Sequence, residues 1–208
     1  MMKEAVVGCA VAATSMCASS ASAGFVGLTS SFAFIDGKSV CRLYAQFNSA
    51  DDVVLSCFGV GGMAGIDWYD NDFVGGSFAP QFTIDPLTDT YVTIGGAPGF
   101  TNSTNADPAW GGAGFSQPGI PNGAGWFNAN PPNLQGKVDG SLKTLLAQFS
   151  VDQPTFVPTI ALTIAFNQGL GTPTMFSSPQ THSLCFPTPA AFPLIGAMAL
   201  ANRRRGRR

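Results

Sequence analysis

Apolar and polar side chains alternate in several short stretches of the chain, which is the period of a half-buried β-strand. The clearest stretch is 159–166, in which Ile160, Leu162 and Ile164 share one face. Residues 39–47 alternate in the same way. Further strands are predicted over 53–60, 81–85, 90–94, 124–127, 145–151 and 181–186. The chain is therefore expected to be built from many short strands.

Turn-forming residues separate these stretches, since the chain contains 25 glycines and 15 prolines. Residues 95–123 are rich in Gly, Pro and Asn and are predicted to form a long surface loop. Residues 138–148 fit a short helix, but the Asp-Gly step at 139–140 favours a strand from residue 145. The expected fold is all-β, with a single antiparallel β-sandwich or jelly-roll-like domain over residues 24–186.

The strands 39–47 and 53–60 are predicted to form a hairpin with a three-residue loop. In that register Cys41 faces Cys57, which gives a candidate disulfide in an oxidising compartment. Two buried free thiols are the equal alternative, because thiols pack well as small apolar groups. Cys185 is expected to stay unpaired. A zinc site is not expected, because the chain has no Cys-x-x-Cys spacing and one histidine.

The N-terminus resembles a secretory signal peptide. Lys3 supplies a positive charge, residues 5–13 are apolar, and Ala21-Ser22-Ala23 places small residues at a cleavage site. The apolar stretch is too short for a membrane span of about 20 residues. Residues 1–23 are therefore predicted to be removed on export, and a buried N-terminal helix is the alternative.

The C-terminus combines a Pro-Thr-Pro step at Pro187, Thr188 and Pro189 with an uncharged stretch, 190–201, and a basic end. The basic end consists of Arg203, Arg204, Arg205, Arg207 and Arg208. Arginines in this position hold a chain end on the cytoplasmic side of a membrane. An ordinary basic tail is the alternative.

This order of features in 187–208 resembles the PEP-CTERM sorting tail of exported bacterial proteins, in the Pro-Thr-Pro variant of planctomycete-type bacteria. Thr188 stands where the family usually has Glu. The resemblance implies export, transient membrane association through the tail and processing by an exosortase-type enzyme. A looser resemblance, to uncharacterised exported planctomycete proteins, rests on five segments and implies a secreted surface domain. These segments are 42–47, 51–59, 91–95, 125–131 and 145–149.

The charge of the chain is concentrated at its ends. Of ten basic and twelve acidic side chains, Lys3 and the five tail arginines leave with the two ends, and Glu4 is the one acid that is lost. The remaining body keeps four bases and eleven aspartates, a charge of about −7. Such a body is not expected to bind nucleic acid or an anionic membrane surface, because both require Lys and Arg.

Candidate chemistry in the body is limited. The chain has no Gly-x-Ser-x-Gly elbow, and a Ser–His–Asp triad would have to use His182. Asp67, Asp70 and Asp72 form a cluster of oxygen ligands of the kind that calcium prefers. Solvated turn carboxylates are the alternative, and no other cofactor is expected.

Loop-borne aromatic residues form the second candidate site. Trp68, Tyr69, Trp110 and Trp126 lie in or near Gly- and Asn-rich segments, where such rings stack on sugars or fold inward to complete a core. The leading functional prediction is a non-enzymatic, structural or adhesive protein of the cell surface or extracellular matrix. A calcium-assisted carbohydrate-binding module comes second, with extracellular polysaccharide as partner, and a secreted glycoside hydrolase third.

Overall fold

A computed structural model of the chain describes residues 24–71, 77–111, 114–115, 119–152 and 156–187. The described part contains ten strands: β1 (Phe25–Ile35), β2 (Lys38–Phe47), β3 (Val53–Gly61), β4 (Tyr91–Val92), β5 (Thr104–Ala106), β6 (Trp126–Asn128), β7 (Lys143–Val151), β8 (Thr159–Asn167), β9 (Met175–Phe176) and β10 (Gln180–Ser183). Two short 3₁₀ turns lie at Pro108–Trp110 and Pro131–Asn133. No described helix is long and apolar enough to cross a membrane.

The strands form two antiparallel sheets, which confirms the predicted all-β class. The first sheet has the order β1-β2-β7-β4, and the second has the order β10-β8-β3-β6-β5, with β9 added to β8. Buried side chains from both sheets meet in one hydrophobic core. Phe47 shows this contact, because its ring lies 5.6 Å from that of Phe25 and 5.3 Å from that of Phe166 on the opposite sheet.

The predicted hairpin between residues 39–47 and 53–60 is wrong, although both stretches are strands. β2 pairs with β1 and β7, whereas β3 pairs with β8 and β6. The chain therefore crosses from one sheet to the other between the two strands. Their apolar faces still enter the same core, but from opposite sides. The alternation of apolar and polar residues is therefore the same whether the two strands pair or lie in opposite sheets.

Other boundaries also differ from the prediction. β1, β5 and β9 were not predicted, and residues 81–85 form turns instead of a strand. The carboxylate of Asp89 accepts hydrogen bonds from the backbone N–H groups of Ile84 and Asp85, which holds those turns together. The alternative helix at 138–148 does not form, because β7 runs from Lys143.

The half-buried amide of Gln135 fastens the predicted long loop, residues 95–123, to the body. The Gln135 Nε2 donates to the backbone oxygen of Ile94 at 2.9 Å and to the Asn102 Oδ1 at 3.1 Å. Its Oε1 accepts from the backbone N–H of Ser103 at 2.8 Å. The loop is therefore bonded to the rest of the domain, and it contributes β5 to the second sheet.

Candidate functional site

One cleft gathers several of the residues that the sequence singled out. It has a volume of about 470 Å³ and is called the Trp68 cleft here. One wall is the segment that follows β3, and the others come from the ends of β7, β8 and β10. The lining residues are Gly65, Ile66, Asp67, Trp68, Tyr69, Asp70, Val151, Asp152, Phe156, Pro158 and Phe186.

The backbone of Tyr69 fixes the first wall between two strands. Its N–H donates to the backbone oxygen of Ser150 at 2.8 Å, and its carbonyl accepts from the N–H of Thr90 at 3.0 Å. The segment is therefore held against the end of β7 as an extra partner. This pairing gives the neighbouring side chains of Asp67 and Trp68 fixed positions at the cleft.

Trp68 forms the floor of the cleft. Its ring is 7% exposed and packs on Phe149, at a centroid distance of 5.0 Å, and on Phe186, at 6.3 Å. The indole N–H is buried and has no hydrogen-bond partner among the described residues. Trp68 is therefore mainly a core residue whose edge contributes to the cleft.

Exposed aromatic surface comes from the rim instead. Phe156 is 50% exposed, and Tyr69 is half-buried. The ammonium group of Lys38 lies 3.6 Å from the centroid of the Tyr69 ring and forms an ion pair with Asp152. This cation–π contact and ion pair hold the ring in one orientation.

Carboxylates outnumber cations around the cleft. Asp67, Asp70 and Asp152 line it, and Lys38 is the neighbouring cation. The cleft therefore repels an anionic ligand and offers acceptor oxygens to hydroxyl groups. Asp152 and Phe156 were not predicted as site residues, although their place directly beyond a strand end and just before the next strand is a usual one for binding residues.

The proposed calcium ligands are only partly described. Asp67 and Asp70 lie on the Trp68 cleft, but Asp72 lies outside the described residues. No group of three or more potential metal ligands occurs among residues that the structure describes. Calcium assistance therefore stays a prediction.

The structure corrects the prediction that Trp110 and Trp126 contact a sugar. Both rings are buried, and each indole N–H donates to a backbone oxygen: Trp110 to Gly125 at 2.7 Å, and Trp126 to Thr93 at 3.0 Å. With the rings enclosed and the polar edges satisfied, neither residue presents a surface to a sugar. Both rings instead fold inward and complete the core, which was the alternative to contact with a sugar.

A second hollow, of about 430 Å³, lies near the buried Trp110, and Phe115, Phe82 and Gln81 are among its lining residues. The Gln81 amide donates to the backbone oxygens of Asn102 at 2.6 Å and Thr104 at 2.8 Å. These bonds hold the Gln81 side chain within the protein and leave its amide nitrogen less available to a ligand.

The cysteines occupy positions that the sequence did not indicate. Cys41 and Cys57 are free thiols in different sheets, so the pairing on which their predicted bridge depended is not formed. The Cys57 thiol is buried near the backbone oxygen of Trp126, at 3.9 Å. Cys41 instead lies beside Cys185, whose backbone N–H donates to the Cys41 Sγ at 3.2 Å.

His182 lies next to this thiol pair. Its Nε2 and the Ser30 hydroxyl are 2.8 Å apart, and burial lowers the pKa of the imidazole. A neutral His182 with its proton on Nε2 donates to Ser30. The Ser30 hydroxyl in turn favours the thiolate forms of Cys41 and Cys185, because its interaction lowers the pKa of each. The structure thus brings together Ser30, Cys41, His182 and Cys185.

Comparison of the chain with known protein families, with curated proteins and with solved structures found no match.

Proposed function

We propose that this chain is an exported, non-enzymatic protein of the cell surface or extracellular matrix with an adhesive role. We further propose that the Trp68 cleft attaches it to a neutral extracellular polysaccharide. The observation that carries this proposal is the composition of the cleft, where aromatic rings and carboxylates line one concave surface.

Aromatic rings and carboxylates together match the two surfaces of a sugar. The apolar C–H face of a pyranose packs on a ring, and its hydroxyl groups need fixed acceptors at the edge. Phe156 and Tyr69 supply the rings, and the carboxylate of Asp67 is exposed beside them.

The charge of the cleft favours one class of polysaccharide. A uronic-acid or sulfated chain would bring its own negative charges against Asp67, Asp70 and Asp152, whereas a neutral chain has hydroxyl groups to donate. The acidic body as a whole supports the same choice, because it carries a charge of about −7 once both ends are removed. Neutral glucans and related polymers are therefore the proposed ligands.

Sequence features support delivery to the outside of the cell. The signal-like N-terminus precedes β1, which begins at Phe25, and the sorting-like tail from Pro187 follows β10, which ends at Ser183. This order supports recognition of the two ends by the export machinery and by an exosortase-type processing enzyme. Thr188, Pro189 and the terminal arginines, like residues 1–23, lie outside the described residues.

Removing the exposed ring of Phe156 is expected to weaken binding to a neutral polysaccharide by up to about tenfold. A single aromatic contact contributes about 0.5–1.5 kcal/mol, and about 1.4 kcal/mol is a factor of ten in affinity. The measurement is retention of the full chain and of Phe156→Ala on an insoluble neutral β-glucan and a neutral α-glucan. Tyr69→Ala is expected to have a similar effect, because its ring is also on the rim.

The matched control for this experiment is Phe100→Ala, which removes a ring that is 90% exposed and lies outside the cleft. It should leave retention unchanged. Binding to an anionic uronic-acid polysaccharide alone, or equal retention of all the variants, would contradict the proposal. Repeating the assay with a chelator tests the calcium prediction separately, since calcium-assisted binding must fall when the ion is removed.

Export makes its own prediction about the mature termini. Mass spectrometry of the protein from its native cells is expected to show a chain that begins at Gly24 and has lost the arginine cluster. Both changes follow from processing of the two ends by membrane-associated enzymes. An intact chain from Met1 to Arg208, recovered from the cytosol, would contradict this part of the proposal.

A further inference from the structure

The cluster of Cys41, Cys185, Ser30 and His182 is a second group of reactive side chains besides the Trp68 cleft. Cys41 lies on β2, a strand of the first sheet, and its side chain is buried in the core between the sheets. Cys185 follows β10, the edge strand of the second sheet, and is partly exposed. The two residues are 144 positions apart in sequence.

The geometry places Cys185 directly beside the sulfur of Cys41. The backbone nitrogen of Cys185 is 3.2 Å from the Cys41 Sγ. Since an N–Cα bond measures about 1.46 Å, the Cα of Cys185 lies at most about 4.7 Å from that sulfur. Only the Cβ and Sγ of Cys185 lie beyond that Cα, so a change of the Cys185 rotamer can bring its Sγ toward the S–S bond length of about 2.05 Å.

We propose that Cys41 and Cys185 form a disulfide that links the two sheets and fixes the C-terminal segment to β2. The bond differs from the Cys41–Cys57 bridge that the sequence suggested, and it leaves Cys57 as the buried free thiol. In the cell it requires an oxidising compartment and therefore rests on the proposed export. The experiment below uses purified protein and so does not depend on export.

The surroundings make Cys185 the attacking thiol. The hydrogen bond from the Cys41 thiol and the one from Ser30 favour the thiolate of Cys185 and lower its pKa to about 7. The same shared hydrogen bond, together with burial, raises the pKa of Cys41. Cys185 is also the more exposed of the two, so an external reagent reaches it first.

The oxidant is a disulfide, either of a thiol oxidoreductase or of glutathione. The Cys185 thiolate attacks one of its sulfurs, forms a mixed disulfide and releases the first thiolate of the oxidant. Cys41 then loses its proton and attacks the Cys185 Sγ, which releases the second thiolate. The protons of the two cysteines end on the two released thiols, so one external disulfide is reduced for each bond formed.

The test uses the full chain, purified under reducing conditions and then treated with oxidised glutathione. After acid quenching, alkylation and digestion, mass spectrometry is expected to find a peptide pair that links Cys41 to Cys185, with Cys57 alkylated. Alkylation of both Cys41 and Cys185, or a link from either of them to another cysteine of the full chain, would overturn the proposal.

Thermal unfolding gives a second readout. A disulfide that closes a loop of this length is expected to raise the Tm of the oxidised chain by about 10 °C over the reduced chain. Cys185→Ser should lose this redox difference, and the matched variant Cys57→Ala should keep it. Cys185 is preferred to Cys41 for substitution because it is outside the fully buried core. A redox difference that survives in Cys185→Ser would contradict the proposal.

Discussion

Trp126→Ala is expected to lower the free energy of unfolding by about 3–5 kcal/mol, because it removes a large ring from the centre of the core. Trp126 is 0% exposed and lies on β6, which pairs with β3 and β5. Its indole N–H also satisfies the backbone oxygen of Thr93, which the substitution leaves buried without that donor. Domains of this size have a total stability of about 5–15 kcal/mol, so the variant should be close to unfolding.

Chemical denaturation followed by circular dichroism measures this loss. The control is Phe100→Ala, which removes an aromatic ring that is 90% exposed and should change the stability by less than about 0.5 kcal/mol. Trp126→Phe separates the two contributions, because it keeps most of the apolar volume and removes the donor. A Trp126→Ala chain as stable as the original would show that the ring does not fill the core.

Gly136→Ala is expected to destabilise the fold by about 3 kcal/mol, since the site has no room for a methyl group. A Cβ at residue 136 would lie 1.9 Å from the backbone oxygen of Val54 and 2.9 Å from the Ile94 Cγ2. The first of these atoms belongs to a strand backbone and cannot rotate away. The backbone oxygen of Gly136 accepts hydrogen bonds from the N–H of Val54 at 2.9 Å and from the Thr144 hydroxyl at 3.1 Å. Residue 136 therefore cannot move away from β3 to make room.

Gly140→Ala is the matched control for this substitution. Its Cβ would meet nothing within 4 Å, and its φ lies outside the left-handed region, so the stability should be unchanged or slightly increased. Both variants are compared with the original chain by thermal and denaturant unfolding. Equal stability of Gly136→Ala and Gly140→Ala would contradict the close approach of residue 136 to the backbone oxygen of Val54 on β3.

Alternation in the sequence predicts which residues of a strand face the core, but it does not predict the neighbouring strand. The stretch 159–166 illustrates the success, because Ile160, Leu162 and Ile164 are all buried. The hairpin of β2 and β3 illustrates the failure: two apolar faces enter the same core whether their strands pair or lie in opposite sheets. β1 was missed because Gly, Ser and Thr interrupt its apolar positions, and its side chains are only partly buried.

The same limit applies to the candidate site. Trp68 and Trp126 both occur in Gly-rich surroundings, yet one reaches a cleft and the other fills the core. Their fate depends on which strand lies next to each loop, and that is set by contacts between residues far apart in sequence. The proximity of Cys41 and Cys185 depends on such contacts as well, because β1 and β10 must come together before the two residues meet.

The packing of Phe186 determines how the body responds to tension. Its ring is buried against Trp68, one residue before the Pro-Thr-Pro step, and Leu184 beside it is bonded through its backbone N–H to Pro158. If the C-terminal end is held at a membrane while the Trp68 cleft binds a polymer outside, a pulling force acts on the domain at Phe186 and Leu184. Such a force has to extract these two buried side chains before any strand can peel, so this attachment point has to yield first, and its packing shields the strands behind it from the force.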